Sequence, residues 1–229
     1  MTQPDLVIFD CDGVLVDSEI IAARVEADLL TEAGFPITAG EIAENYAGLT
    51  FKDIMLRIEE VSSIPFQASL IKACETEVDD RLRREVRAMD GVGQAVASLD
   101  LPYVICSNSE SERIQFMLNK NGILPLFAGR IFSAVEVGTR KPKPAPDVFL
   151  HAAHEKKADP ARTFVVEDSV HGVKAARAAG MRVIGFTGGS HTYPGHADAL
   201  TEAGAETTIN RWTDFRPTLD ALAAWSEDA

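Results

Sequence analysis

Two aspartates one residue apart, Asp10 and Asp12, follow the short apolar run Leu6-Val7-Ile8-Phe9 and precede Gly13. A carboxylate at such a place can attack phosphorus and carry the phosphoryl group as an acyl phosphate. A second carboxylate can protonate the leaving oxygen and then deprotonate the water that breaks the intermediate. The two roles need opposite protonation, which a metal beside one carboxylate and a different environment around the other can supply. Gly13 allows the tight turn such a pair requires. Taken alone, D-x-D-G after a strand is equally well read as two turn or capping aspartates.

Three further segments carry chemistry-bearing residues. Glu167-Asp168-Ser169 follows the apolar run Phe164–Val166. Its carboxylate oxygens suit Mg²⁺, a hard cation that keeps several waters and meets substrate phosphate directly. Ser169 also suits the cap of a following helix. Ser107 and Asn108 end the run Val104-Ile105-Cys106. A hydroxyl and nearby backbone N–H groups there can hold phosphoryl oxygens, although Ser-Asn-Ser is also ordinary turn chemistry. Lys141-Pro142-Lys143-Pro144-Ala145-Pro146 is stiffened toward polyproline II geometry. Either lysine fits K-P-x-P and can neutralise negative charge, and an exposed basic loop is the alternative.

Three of the four segments put polar residues at the carboxyl end of a strand-like run, where ligands bind in an open parallel sheet. Leu6–Phe9, Tyr103–Cys106, Thr163–Val166, Arg182–Phe186 and Arg130–Ala134 read as strands, with Thr207–Ile209 as a weaker one at an edge. Helical patterns over Glu110–Asn121, Pro146–Lys157 and Val170–Ala179 alternate with them. The alternation predicts an α/β fold, a doubly wound, mostly parallel Rossmann-like sheet. From Asp17 to Arg87 no strand is evident, and Ile20, Ile21, Val25, Leu29 and Leu30 form an apolar stripe. Helical segments are expected at Glu41–Tyr46, Lys52–Val61 and Phe66–Arg84. An inserted all-helical cap domain over 17–87 is therefore expected on a core of 1–16 and 88–229, hinged at Leu15–Asp17 and Arg87–Asp90.

The 229 residues are 46% hydrophobic and 25% charged, as in an ordinary globular chain. A formal charge of −13 disfavours a nucleic-acid backbone as partner. Cys11, Cys74 and Cys106 are too scattered for a disulfide framework, and Cys11 and Cys106 fit as small buried residues in a reducing compartment. No signal peptide or apolar stretch long enough to span a bilayer is evident. The expectation is a cytoplasmic protein, a monomer or weak homodimer, whose partner is a small phosphorylated metabolite rather than nucleic acid or membrane.

Together, and in this order, the segments resemble the haloacid dehalogenase superfamily of phosphohydrolases. The first motif matches through Phe9-Asp10-Cys11-Asp12-Gly13-Val14-Leu15-Val16-Asp17-Ser18-Glu19, the last through Glu167-Asp168-Ser169 with Gly172 and Ala175-Ala176 following. The chain is similar to the subgroup with a helical cap after the first motif, which holds β-phosphoglucomutases and sugar-phosphate phosphatases of the 6-phosphogluconate type. The resemblance implies Asp10 as nucleophile, Asp12 as acid/base, Ser107 and Asn108 as phosphate ligands, and Lys143, by the family's spacing to Pro146-Asp147-Val148-Phe149, as charge neutraliser. It implies Mg²⁺ held by Asp10, the Asp12 carbonyl and Asp168, with Glu167 in support. Members that cleave carbon–halogen bonds lack the second aspartate, so Asp12 argues against dehalogenation. Mutases carry a cap histidine where this chain has Ala22 and a cap arginine where it has Phe51, which favours hydrolysis over phosphomutase activity. Gly48, Leu49, Thr50 and Lys52 are the expected substrate loop, and Arg24 and Arg57 are further cap cations that can meet a substrate.

Overall fold

The computed structural model describes residues 3–46, 49–62, 65 and 67–225. Six parallel strands, β1 (Leu6–Phe9), β2 (Tyr103–Ser107), β3 (Ile131–Ser133), β4 (Thr163–Glu167), β5 (Arg182–Phe186) and β6 (Thr207–Ile209), form one sheet in the order β3-β2-β1-β4-β5-β6. β6 is at an edge, as its weak pattern suggested. The order reverses between β1 and β4, and ligand sites of open α/β sheets form beyond the carboxyl ends at such a reversal. Phe9 is level with Ile105 on one side and Val166 on the other. That register brings Asp10, Ser107 and Glu167 to one edge of the sheet.

Side chains alternate across β1. Val7 and Phe9 join one apolar cluster, while Leu6 and Ile8 join another on the opposite face. Both faces are covered, which is why the strands read as unbroken apolar runs. Phe9 sits in an aromatic group with Tyr103, Phe127, Trp212 and Phe215 at centroid distances of 5.6–6.3 Å. The three cysteines are free and buried.

Between β1 and β2 come α1 (Glu19–Glu32), α2 (Ala39–Tyr46), α3 (Phe51–Val61) and α4 (Ser69–Glu85), then the short α5 (Val92–Ala97). Thr50 starts α3 one residue earlier than its apolar pattern suggests, because its side chain accepts a hydrogen bond from the Asp53 N–H. The expected start of the fourth helix at Phe66 lies outside the described residues. The remaining helices are α6 (Ser111–Lys120), α7 (Asp147–Lys156), α8 (Val170–Ala178), α9 (His196–Ala203) and α10 (Phe215–Trp225).

The chain leaves and re-enters the sheet region through two paired strands of backbone. Val16 and Ala88 form an antiparallel bridge, the Asp17 N–H donates to the Arg87 carbonyl at 2.9 Å, and the Met89 N–H donates to the Leu15 carbonyl at 3.0 Å. Asn121, at the end of α6, accepts from the Ala88 N–H at 2.8 Å. α4 rests on α6: Arg113 Nη2 is 2.9 Å from Asp79 Oδ1, and the Arg83 guanidinium lies 4.8 Å over the Phe116 ring.

Candidate active site

Lys143 is at the centre of the sheet's carboxyl edge. Its Nζ donates to Asp10 Oδ1 at 2.6 Å, to Glu167 Oε1 at 2.5 Å and to the Cys106 carbonyl at 2.8 Å. Lys143 is 7% exposed, whereas Lys141 faces solvent. The fold thereby separates Lys143, which the family's spacing singled out, from Lys141. The segment forms a turn with a cis Lys143–Pro144 peptide rather than a run of polyproline II. Asn108 holds it there, accepting from the Lys143 N–H at 2.8 Å and donating to its carbonyl at 3.4 Å. Asn108 thus positions the lysine while also lining the cavity.

Asp12 faces a set of hydroxyls. It accepts from Ser18 at 2.8 Å, Ser107 at 3.1 Å and Ser109 at 2.8 Å. Ser109 also donates its N–H to Ser107 Oγ at 3.0 Å. β1, β2 and the start of α1 therefore converge on this carboxylate. Ser18 and Ser109 carried no role in the sequence reading, since nothing in a single sequence shows which hydroxyls a distant aspartate will meet.

Asp10, Glu167 and Asp168 each offer an oxygen within 4.8 Å of the others, and all three are buried. Burial pushes the Asp10 carboxyl well above its ordinary value; Lys143 opposes this, while Glu167, Asp168 and Asp12 add to it. Burial likewise raises Glu167 against the pull of Lys143. For Lys143 burial works downward, and the charges of Asp10 and Glu167 outweigh it, so the ammonium is held charged. Three buried carboxylates against Lys143 and the imidazole of His191 still leave excess negative charge, and their hard oxygen donors fit a divalent cation. Glu167 Oε2 also accepts from the Ser169 N–H at 3.2 Å and hydroxyl at 3.1 Å. Ser169 caps α8 by accepting from the Gly172 N–H, as its sequence position indicated.

Asp168 is held from the opposite side by two histidines. His191 Nε2 lies 3.0 Å from Asp168 Oδ2, and His196 Nε2 donates to the Asp168 carbonyl at 2.7 Å. Burial would push the His191 imidazole down, but the hydrogen bond and charge of Asp168 lift it to about 9. Gly13 passes close by at φ +72°, and a Cβ there would come within 1.8 Å of Asp168 Oδ2. The glycine is needed for this approach as well as for the turn. His191 comes from the Gly-rich loop after β5 and His196 opens α9, both twenty-odd residues beyond the last recognisable motif, and spacing alone gave no reason to attach them to Asp168.

These groups form the floor of a cavity of about 670 Å³. Its roof comes from the inserted helices and includes Glu19, Ala22, Glu26, Leu49, Thr50 and Asp79. Of the expected substrate loop, Leu49 and Thr50 line the cavity, Lys52 is exposed outside the lining, and Gly48 lies outside the described residues. Arg24 and Arg57 are also exposed outside the lining. His171 reaches the cavity wall, with burial holding its imidazole below the ordinary value. Ala22 lines the roof and Phe51 is packed into the helical layer.

Burial of Glu26 in the roof has a measurable consequence. Its carboxyl is pushed from an ordinary 4.5 up to about 7. The unfolded chain therefore ionises first as pH rises, and stability is lost between those values. Glu26→Gln is expected to stabilise the protein by about 2 kcal/mol at pH 8, seen as a rise in Tm of roughly 5 °C. The gain should shrink as pH falls from 7 toward 5. Thermal melts of both proteins at pH 5 and pH 8 check this, and a gap that widens toward acid refutes it.

The sequence matches the model of the haloacid dehalogenase-like hydrolase family over residues 7–186. A crystal structure of a haloacid dehalogenase-like protein of unknown function from Agrobacterium tumefaciens shares 57% identity, covers 96% of this chain and 99% of that one, and superposes with a TM-score of 0.92. A HAD family hydrolase from Deinococcus radiodurans, solved with bound phosphate and sodium, is 31% identical, covers 98% of each chain and has a TM-score of 0.82. The 6-phosphogluconate phosphatase of Escherichia coli is 28% identical over 199 residues, 85% of this chain and 87% of that protein. With matching sequence, matching fold and the acidic edge all in one molecule, the chain belongs to the haloacid dehalogenase-like hydrolases.

Proposed function

We propose that this hydrolase is a Mg²⁺-dependent phosphatase of a small phosphorylated metabolite, of the sugar or sugar-acid phosphate class, working through an aspartyl phosphate on Asp10. The observation that carries this reading is the position of Lys143, bonded at once to Asp10 and Glu167 beside Asp168, with Asp12 across the same cavity floor. A related hydrolase that binds phosphate and a relative named for phosphatase activity support it.

In this reading one Asp10 oxygen is held by Lys143 and the other attacks phosphorus, so the P–O(Asp10) bond forms as the ester bond breaks. The Asp12 carboxyl gives its proton to the departing alkoxide. Asp12 then takes a proton from water as that water attacks phosphorus, and the P–O(Asp10) bond breaks to release inorganic phosphate. Lys143 and the Ser107 hydroxyl offset charge on the phosphoryl oxygens. Asp10, Asp168 and the Asp12 carbonyl would hold Mg²⁺, whose charge would hold Asp10 ionised and balance the phosphoryl group. Both Glu167 oxygens are engaged by Lys143 and Ser169, so Glu167 acts through those partners. Residues 17–87 form the cap, which excludes water while the ester reacts. Ala22 in the roof leaves no cap imidazole to serve a mutase, which favours water as the acceptor.

Release of phosphate from p-nitrophenyl phosphate should require Mg²⁺ and stop on addition of EDTA. Activity that EDTA leaves unchanged sinks the metal-dependent reading. His191 orients Asp168, and groups behind a metal ligand set its affinity. His191→Ala is therefore expected to raise the Mg²⁺ concentration for half-maximal activity by about 10–100-fold. A metal-activation curve measures it, and an unchanged midpoint shows that Asp168 needs no such support.

A further inference from the structure

The cavity is larger than a phosphate group requires, and its charge is uneven. Lys143 serves the floor. The wall built by α1 and α4 carries Glu19, Glu26, Glu75 and Asp79. Arg113 is the one lysine or arginine that faces them among the described lining residues, and it is 2.9 Å from Asp79 Oδ1. Its charge is therefore matched before any substrate arrives. The acids act on one another and share one neighbourhood. Burial raises the Glu19 carboxyl most, with Asp12, Asp168 and Glu26 adding to it and His191 opposing, and burial raises the Cys74 thiol, with Glu26 and Glu75 adding to it and Arg113 opposing. Between these acids the lining is small or apolar, with Ala22, Ala23, Ile42 and Leu49.

Resting on the reading that a phosphomonoester places its phosphate beside Asp10, we propose that the substrate's other end carries hydroxyl or amino groups and no second anionic group, and that Glu26 and Glu75 enforce this choice. Carboxylates accept hydrogen bonds from hydroxyls and pair with ammonium groups. A carboxylate or second phosphate in the same place would meet like charges in a partly closed cavity, which rejects it. The selectivity is thus set by repulsion as much as by contact. It separates this chain from what the name of its 28%-identical relative describes, since 6-phosphogluconate carries a carboxylate opposite its phosphate.

The test compares kcat/KM at pH 8 for glucitol 6-phosphate, glucosamine 6-phosphate and 6-phosphogluconate, with p-nitrophenyl phosphate as control. The neutral and amino compounds are expected to exceed 6-phosphogluconate by about tenfold or more. In the Glu26→Gln/Glu75→Gln double variant the ratio of 6-phosphogluconate to glucitol 6-phosphate should rise by about tenfold. Preference for 6-phosphogluconate, a ratio unmoved in the double variant, or selective loss of 6-phosphogluconate turnover in Arg113→Gln each overturns the proposal. The aryl phosphate has no charged far end, so its turnover reports the phosphatase reading alone. Turnover of the aryl ester together with preference for the sugar acid defeats only the selectivity claim, and no phosphate release from any compound defeats both.

Discussion

Asp10→Asn should lower turnover by at least about 10⁴-fold, with little change in thermal stability. The amide keeps the size of the side chain but has no anionic oxygen to attack phosphorus. No neighbour can substitute, because Asp12 is held by three serine hydroxyls and Glu167 by Lys143 and Ser169. The fold tolerates the change because burial and three nearby acids already disfavour the charged Asp10 carboxylate, with Lys143 opposing them. Removing that charge relieves repulsion and leaves Lys143 paired with Glu167. Two measurements decide the matter. Quenched wild-type enzyme should carry a phosphoryl group on the peptide containing Asp10, and the variant should carry none. A variant that keeps more than about a hundredth of the wild-type rate, with its Tm unchanged, rules out Asp10 as the nucleophile.

The sheet was legible because its strands are short, buried on both faces and rich in β-branched residues. Even the weak Thr207–Ile209 pattern falls on β6. The order of the motifs carried the site as well, since each lies at the carboxyl end of a strand or in the turn that packs against those ends. What stayed hidden depends on where loops fold back. His191 lies 23 residues past Asp168 in sequence, yet its Nε2 is 3.0 Å from the Asp168 carboxylate. Asn108 reads as a phosphate ligand or a turn residue, and only the fold shows its amide gripping both polar groups of the Lys143 backbone. In the cap, Leu49 and Thr50 of the expected substrate loop line the cavity, while Lys52, Arg24 and Arg57 lie exposed outside its lining. Charge pointed to Lys52, Arg24 and Arg57, but a helix places its cations on the outer face unless something inside pairs them. The inner face of α1 and α4 instead carries acids, and Arg113, which meets Asp79, comes from α6 packed against α4.

Lys143→Met is expected to remove activity and also to destabilise the protein, which separates it from Asp10→Asn. Lys143 holds three acceptors in a site where it is 7% exposed. Its loss leaves Asp10 and Glu167 as buried carboxylates that face each other without a counter-charge, while His191 still pairs with Asp168. Removing one partner of a buried ion pair costs about 3–5 kcal/mol, here a fall in Tm of about 10 °C. The pH dependence supplies the sign. Lys143 lowers both Asp10 and Glu167, so both rise further when it is gone. A carboxyl raised in the folded state contributes a penalty that is absent below its unfolded value and grows as pH climbs toward its folded one. The Tm difference between variant and wild type should therefore be smallest near pH 5 and largest at pH 8. Lys143→Arg keeps the charge but puts a planar guanidinium where a point charge meets three acceptors. It should recover part of the stability and little of the rate. If Lys143→Met melts at the wild-type temperature across that range, the lysine is not what holds these carboxylates together, and the electrostatic account of the site is wrong.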